Sequence, residues 1–402
     1  MDLYLDHTGY RIKEVKITIS GSKSESNRML ILQKIFPNIV LRNLSDSDDT
    51  QHLLKALNSQ NNTIDIGHAG TAMRFLTAYF SVKENSDIIL TGSERMQNRP
   101  VKILVDALKE LGADISYLKN DGFPPLRIKG KELARNKVKI KGNVSSQYIS
   151  ALILIAAGLP KGLEIELLGK ITSVPYIKMT LALLNQIGIE TQWEDKIIKI
   201  AKKEKIEDIV LTVESDWSSA SYFFSLIALS DNKTIQLSAY KKNSLQGDSS
   251  LVEIYKHFGV ETGFEENTII LHKHPKEIKH LNLDLVNSPD LAQTIAVSCF
   301  GLGISCDLTG LHTLKIKETD RLVALQNELQ KLGAEVEITD KSLHLKASHQ
   351  IKKNISIKTY DDHRMAMAFA PLSLKVPIKI ENAEVVSKSY PDFWNDLEKA
   401  LG

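Results

Sequence analysis

Leu108-Lys-Glu-Leu-Gly-Ala-Asp-Ile115 returns three times along the chain. The copies are Leu184-Asn-Gln-Ile-Gly-Ile-Glu-Thr191, Tyr255-Lys-His-Phe-Gly-Val-Glu-Thr262 and Leu329-Gln-Lys-Leu-Gly-Ala-Glu-Val336. Each reads as the end of a helix, a glycine just past it, a short strand, a turn and a second strand. The glycines Gly112, Gly188, Gly259 and Gly333 lie 76, 71 and 74 residues apart. A second series interleaves with the first. Polar caps precede apolar helices at Gly70-Thr-Ala-Met-Arg74, Ser145-Ser-Gln-Tyr148, Ser218-Ser-Ala-Ser-Tyr222, Ser288-Pro-Asp-Leu291 and Asp361-Asp-His-Arg364. Gly21-Ser-Lys-Ser-Glu-Ser-Asn-Arg28 is the sixth member. The period therefore encodes two strand–helix elements plus a hairpin, which builds layers of sheet and helix.

The helices after the caps, such as Ile149 to Ala157 and Phe223 to Leu229, are nearly all apolar and are expected to be central. Those near 103–111, 178–187, 251–258 and 321–332 are amphipathic and are expected to face water on one side. The first unit is short, with only 48 residues between Ser22 and Gly70. The stretch from Leu53 to Ile66 leaves no room for the helix end and hairpin of the other units, so an outer helix and a hairpin are expected to be trimmed. Asp216-Trp217-Ser218-Ser219 opens a fresh element. Six units then divide into a first domain over 20–216 and a second over 1–19 and 217–402. Crossings near 20 and 216 would permit hinge closure.

With 402 residues, 43% of them hydrophobic, the chain can bury more than one core. A formal net charge of +2 makes no demand for nucleic acid, and Lys202-Lys203-Glu-Lys205 reads as a solvated face. No apolar stretch reaches the length of a membrane span. Cys299 and Cys306 are the only cysteines, and their apolar setting reads as buried free thiols in a reducing, cytoplasmic compartment. There is no zinc spacing, phosphate loop or dinucleotide glycine pattern.

The octamer at 21–28 directs N–H groups, hydroxyls, Lys23 and Arg28 at one spot, suited to a phosphate or carboxylate. Gly21 permits a tight turn and Ser22 or Ser24 can cap the next helix; alone, the octamer also reads as an ordinary helix start. Further cap positions carry Arg74, the run Glu94-Arg95-Met-Gln-Asn-Arg-Pro100, Ser145-Ser146-Gln147, Asp290, Lys315-Ile-Lys-Glu-Thr-Asp-Arg321, Asp361-Asp-His-Arg364 and Lys388. Pro100 suits a first helical turn. Arg74 also reads as the partner of an acid in its own domain, and Asp361 as a simple cap. If the caps lie at one end, the serines and cations form sites for a small polyanion, with Asp290 and Glu318 as proton carriers.

Gly21–Arg28, Gly67-His-Ala-Gly-Thr-Ala-Met-Arg74, Arg95-Met96, Ser145-Ser-Gln147, Lys317-Glu-Thr-Asp-Arg321, Asp362-His-Arg364 and Lys388-Ser-Tyr-Pro-Asp392 follow one another as they do in the 5-enolpyruvylshikimate-3-phosphate synthase family. The resemblance spans nearly the whole chain. It implies an inside-out α/β barrel of two similar domains, each of three βαβαββ-type units. It implies transfer of the enolpyruvyl group of phosphoenolpyruvate to the 5-hydroxyl of shikimate 3-phosphate, in aromatic amino acid biosynthesis, through a tetrahedral intermediate. It implies a cytoplasmic monomer with no metal or organic cofactor, acting on small molecules and not on nucleic acid or membrane. The sugar-phosphate site maps onto Ser24, Arg28, Ser145, Ser146, Gln147, Ser173, Tyr176, Asp290 and Lys317. The phosphoenolpyruvate site maps onto Lys23, Gly70, Arg95, Gln147, Arg321, Arg364 and Lys388. Lys23, Asp290, Glu318 and Lys388 resemble the catalytic groups.

The resemblance further implies that glyphosate takes the phosphoenolpyruvate site against Gly70, where glycine leaves room that a methyl group would fill. His68, Phe75 and Thr313 replace the family's common Asn, Pro and Asn. The nearest alternative is enolpyruvyl transfer to a UDP-amino sugar in cell-wall synthesis. That reaction usually employs a cysteine in a mobile loop, and the loop around Arg95 has none.

Overall fold

The computed structural model describes residues 1–10, 14–143, 145–172, 174–231 and 234–402. The chain divides into two compact units. One is Ser22–Val213; the other joins Met1–Gly21 to Glu214–Gly402. Each has its own apolar core.

In the Ser22–Val213 unit the helices are α1 (Lys23–Ile35), α2 (Asp48–Asn58), α3 (Gly70–Val82), α4 (Glu94–Gln97), α5 (Lys102–Leu111), α6 (Ser146–Ala156) and α7 (Val174–Gln186). The other unit has α8 (Trp217–Leu229), α9 (Leu251–Lys256), α10 (Ala292–Gly301), α11 (Arg321–Lys331), α12 (His363–Phe369) and α13 (Phe393–Leu401). The strands form six small sheets among the described residues.

Four of these sheets share one plan. Thr63–Asp65 runs parallel to Asp87–Thr91, which pairs antiparallel with Leu126–Lys129, itself antiparallel to Asp114–Tyr117. The sheets built on Lys137–Lys141, Val15–Thr18 and His280–Asp284 repeat it. In each, an amphipathic helix leads into the hairpin, and in all but the sheet built on Val15–Thr18 an apolar helix joins the parallel strands.

The expected glycines do the expected work. Gly112, Gly188, Gly259 and Gly333 all have positive φ, at 111°, 78°, 75° and 100°. The residue after each of three of them donates back into its helix, as Ala113 to Leu108, Ile189 to Leu184 and Ala334 to Leu329, at 2.9–3.0 Å. The apolar helices are buried throughout: α6 and α8 have hardly an exposed residue. In α5, by contrast, Leu104, Val105, Ala107, Leu108 and Leu111 form a single buried stripe.

Two sheets depart from the plan. Ile355–Ile357 and Ile378–Ile380 are parallel, and the antiparallel strand beside them is Leu3–Leu5. In the short first unit only Ile39–Arg42 and Ile209–Thr212 pair. The expected loss of an outer helix there is corrected. The amphipathic helix α2 is present, with Leu53, Ala56 and Leu57 buried, and only the hairpin is missing. The strand edge this leaves is capped at Ile39, whose N–H donates to Phe36 O at 3.2 Å and whose carbonyl accepts from Gln33 Nε2 at 2.8 Å.

A further feature sits at the two crossings. Val15–Thr18 leads into α1, yet it pairs with Thr234–Ser238, the strand after α8. Ile209–Thr212 leads into α8, yet it pairs with Ile39–Arg42, the strand after α1. The two leading strands are reciprocally exchanged.

The glycine caps can be tested by comparing two in the same unit. A Cβ on Gly333 would meet nothing closer than 3.7 Å, whereas one on Gly259 would lie 2.2 Å from the His274 carbonyl oxygen. Gly333→Ala should cost about 1–2 kcal/mol, the strain of a left-handed alanine. Gly259→Ala should cost clearly more, as read by urea unfolding followed through a probe in that unit.

Candidate active site

Asp320 accepts the N–H groups of Leu322 and Val323 at 3.2 Å and so starts α11. That cap fixes Arg321 as the first helical residue, with only 2% of its surface exposed. All three guanidinium nitrogens are engaged. Nε donates to Asp362 at 2.5 Å, Nη1 to Asp290 at 2.7 Å and Nη2 to Glu318 at 2.7 Å. The carboxylates outweigh burial and hold Arg321 charged.

Asp362 has a second task. It caps α12 by accepting the Arg364 N–H at 2.8 Å. Asp361, read as the cap, instead sits with Tyr360 in a left-handed turn, both at φ 54°. Two such non-glycine residues in succession store strain. The turn presents the Asp361 carbonyl to Lys388 Nζ at 2.7 Å.

Asp290 lies in the 3₁₀ turn Pro289–Leu291 ahead of α10. Besides Arg321 it faces Lys317 Nζ at 3.3 Å and Arg364 Nη2 at 3.4 Å. Burial pushes its pKa up, but Lys317, Arg364 and Arg321 together pull it well below the carboxylate range. Asp290 is thus a carboxylate whose basicity is held down by cations that anionic ligands also attract. Arg364 also donates to Ser218 Oγ at 3.2 Å, and its buried Nε has no hydrogen-bond partner among the described residues. The same is true of Oγ1 of Thr313, one of the departures from the family pattern.

Asp248 was not singled out from the sequence. It is buried in the turn Gly247–Ser250 and accepts a hydrogen bond from Ser218 Oγ. Burial, then the nearby Asp290 charge, push its pKa up to about 6. The polar run Asn243-Ser-Leu-Gln-Gly-Asp248 carried the only signal.

In the Ser22–Val213 unit, Ser22 holds the N-cap position of α1 without a side-chain cap bond. The tight turn expected at Gly21 is corrected: Gly21 forms an antiparallel bridge with Ser215. Lys23, the first residue of α1, lies 3.6 Å from Asp49 on α2. Arg28, one of the expected substrate holders, is deeply buried. Nε donates to Thr180 Oγ1 at 2.8 Å, Nη1 to the Ser24 carbonyl at 2.7 Å and Nη2 to Ser150 Oγ at 3.2 Å. The Phe75 and Tyr176 rings flank it, 5.4 and 5.9 Å from Cζ. Burial lowers its pKa to about 10, so it stays charged at neutral pH.

Ser145 caps α6 by accepting the Gln147 N–H at 3.4 Å; Ser146, beside it, is buried. Gln147 Nε2 reaches Thr71 Oγ1 at 3.1 Å, tying the start of α6 to that of α3. Arg74 has no acidic partner among the described residues. It donates to the Gly70 and Pro100 carbonyls, each at 3.0 Å. Pro100 itself precedes α5 rather than opening it, and its carbonyl also accepts the Tyr148 hydroxyl at 2.6 Å. Arg95 is exposed and pairs with nothing among the described residues. The room expected beside Gly70 is filled, because a Cβ there would lie 2.5 Å from Nη1 of Arg99. His68 is exposed, its ring edge-on to His52 at 6.1 Å. Ser173 lies outside the described residues.

The raised Asp248 pKa has a definite sign. Between about pH 4 and 6 the native state holds a proton that the unfolded chain has released, so stability falls as pH rises, by up to about 1.4 kcal/mol per pH unit. Asp290 is depressed and acts the other way, losing its contribution only as pH falls through the unfolded value near 4 and below. Asp248→Asn should remove the decline between pH 4 and 6, measured by denaturant unfolding across that range.

Comparison with known proteins agrees with this layout. The family model for EPSP synthase (3-phosphoshikimate 1-carboxyvinyltransferase) matches residues 56–397. The 3-phosphoshikimate 1-carboxyvinyltransferase of Bacteroides fragilis (strain YCH46) is 48% identical over 393 residues, 96% of either chain. That of Haemophilus influenzae (strain PittGG) is 36% identical over 419 aligned residues, again covering 96% of each. Among solved structures, EPSP synthase from Acinetobacter baumannii shares the fold with a TM-score of 0.81 at 20% identity, covering 99% of this chain and 98% of that one. The enolpyruvyl transferase NikO from Streptomyces tendae shares it at a TM-score of 0.74 and 14% identity, with 99% and 97% covered. By the extent of the family match and the level of identity to curated relatives, the chain belongs to the EPSP synthase family.

Proposed function

We propose that this chain transfers the enolpyruvyl group of phosphoenolpyruvate to the 5-hydroxyl of shikimate 3-phosphate and releases phosphate. The observation that carries the reading is Arg321, which joins Asp290 and Glu318 on one guanidinium. The reaction needs two proton carriers held a fixed distance apart. The 5-hydroxyl adds to C2 of phosphoenolpyruvate while its methylene carbon gains a proton, giving a ketal phosphate. That carbon then loses a proton as phosphate leaves, restoring the double bond.

Asp290 serves the hydroxyl in this reading. In the free protein it is a weak base, because Lys317, Arg364 and Arg321 surround it. A 3-phosphate that draws on Lys317, and a carboxylate that draws on Arg364, would return basicity to Asp290 when both substrates are bound. Glu318 serves the methylene carbon. Lys23 and Lys388 supply charge and protons toward the departing phosphate. Ser145, Ser146, Ser173 and Lys317 hold the 3-phosphate; Ser24, Arg28, Gln147 and Tyr176 hold the ring side of shikimate 3-phosphate. Gly70, Arg95, Gln147, Arg321 and Arg364 receive phosphoenolpyruvate. The residues at 20–216 form one domain in this proposal and those at 1–19 and 217–402 the other.

Transfer to a UDP-amino sugar is not favoured. The matched family and relatives carry the shikimate name. Cys299 and Cys306 are buried, and burial pushes the Cys299 thiol well up, away from a reactive thiolate. No helix among the described residues is long and apolar enough to cross a membrane. A monomer in the cytoplasm is the proposed working form, in keeping with two buried free thiols.

Phosphate release should occur with phosphoenolpyruvate plus shikimate 3-phosphate and not with a UDP-amino sugar in its place. The reverse result would overturn the assignment. Glu318→Gln keeps the shape but cannot carry a proton, so it should lower kcat about 10²–10⁴-fold with ligand affinity, read by calorimetry, nearly unchanged. Wild-type turnover in that variant would remove Glu318 from the mechanism.

A further inference from the structure

Tyr360 stands where a bulky ring is unexpected. The Asp362 N–H donates to the Thr359 carbonyl at 2.9 Å and closes a four-residue turn. Its central residues, Tyr360 and Asp361, both have φ 54°, a conformation that favours glycine and asparagine and is strained for tyrosine. Such strain persists only where the surroundings fix it from several directions. Helix α11 does so from both sides of the turn. After the turn, Arg321 at the start of the helix holds Asp362. Before it, the grip comes from Glu328, seven residues and about 10 Å further along the same helix. Oε1 of Glu328 accepts the Tyr360 hydroxyl at 2.7 Å. Oε2 accepts the Lys358 N–H at 3.1 Å and Lys331 Nζ at 2.7 Å. Lys331 also donates to the Ser356 carbonyl at 3.3 Å.

Glu328 is wholly buried. A carboxylate there is costly unless its oxygens are met, and an apolar side chain would fill the space without that cost. An apolar side chain could not hold the turn. Burial, and then the bond to Glu328, push the Tyr360 pKa up to about 12, which keeps its hydroxyl a donor at neutral pH. What the turn delivers is the Asp361 carbonyl, which accepts from Lys388 Nζ at 2.7 Å. We propose that Glu328 and Tyr360 are positioning residues for Lys388, fixing through the Tyr360–Asp361 turn the carbonyl on which its ammonium rests. This rests on the role given to Lys388 in the reaction proposed above. Neither residue touches substrate in this account; both act through Lys388. Two changes that act through one group are not additive, so the link is measurable.

The experiment is Tyr360→Phe in the full chain, which removes one oxygen and leaves the ring. Glu328→Gln is the conservative control, because its amide can still meet the Tyr360 oxygen while its carbonyl accepts the Lys358 N–H. Turnover is read with both substrates. The seat of Lys388 is read separately, without substrates, as its rate of acetylation by acetic anhydride, measured by peptide mass spectrometry against the exposed Lys352. Tyr360→Phe should lower kcat about tenfold, inside the roughly 10²-fold that an ångström of misplacement can cost, with the KM for shikimate 3-phosphate within about twofold of wild type. Acetylation of Lys388 should rise about threefold or more as the ammonium leaves its carbonyl. Glu328→Gln should show smaller changes in both. In a Lys388→Ala background, Tyr360→Phe should alter kcat by less than about twofold. An unchanged kcat, an unchanged acetylation rate at Lys388, or effects that multiply in the double variant would overturn the proposal. If the wild-type protein releases no phosphate from the two substrates, the reaction assignment fails separately. Acetylation then decides alone: a rise confined to Lys388 supports the seating contact, and an unchanged rate overturns it. Unliganded unfolding temperatures close to wild type identify folded variants. Glu328→Met, which keeps the length but has no oxygen to accept the hydroxyl, replaces Tyr360→Phe should that variant not fold.

Discussion

A buried guanidinium is costly unless its donors are met by carboxylates at good geometry. Arg321 is such a group, and three acidic side chains from three separate segments meet it. Asp362 brings the start of α12, Asp290 the approach to α10, and Glu318 the turn before α11. Removing the arginine would leave these carboxylates close together, with only Lys317 and Arg364 beside Asp290 to offset them. The ion cluster therefore locks the starts of three helices to one another, and the chemistry of the unit is arranged around that lock. Lys317 and Arg364 complete it from the outside, and they are the cations an incoming anion can recruit.

The other unit solves a similar problem with fewer acids. Arg28 and Arg74 are buried on hydroxyls, carbonyls and aromatic faces, with no carboxylate among their described hydrogen-bond partners. Desolvation is only partly answered, and both pKa values drop to about 10. Net positive charge is thereby held near the starts of α1 and α3, where bound anions would complete the neutralisation. Phe75 takes part in this, because its ring lies against Arg28 where the family commonly has proline.

Much of this architecture was legible in the sequence because its determinants are local. A helix that must stop and turn into a strand needs a left-handed residue, and the four repeated glycines announced it. Runs without polar residues announced buried helices. The retention of α2 was missed because the short unit was judged by length alone; its period of Leu53, Ala56 and Leu57 was the better guide. The site was legible as a set of motifs and much less so as contacts. That Asp362 and not Asp361 meets Arg321, that Asp248 lies near Asp290, and that Arg99 lies on Gly70 are outcomes of side-chain direction between distant segments. No spacing rule carries that information.

The reciprocal exchange of leading strands bears on how the chain can be made. Lys16 pairs with Gln236, so the strand that leads into α1 waits for a partner 220 residues later. At roughly 5–20 residues per second that delay is on the order of 10–40 s. Over the same interval the whole Ser22–Val213 unit emerges, with every strand partner it needs. It can complete its core while Val15–Thr18 is still an unpaired segment tethered to its front. Vectorial synthesis thus favours an order of assembly, with the central stretch of the chain first and the two ends joined last.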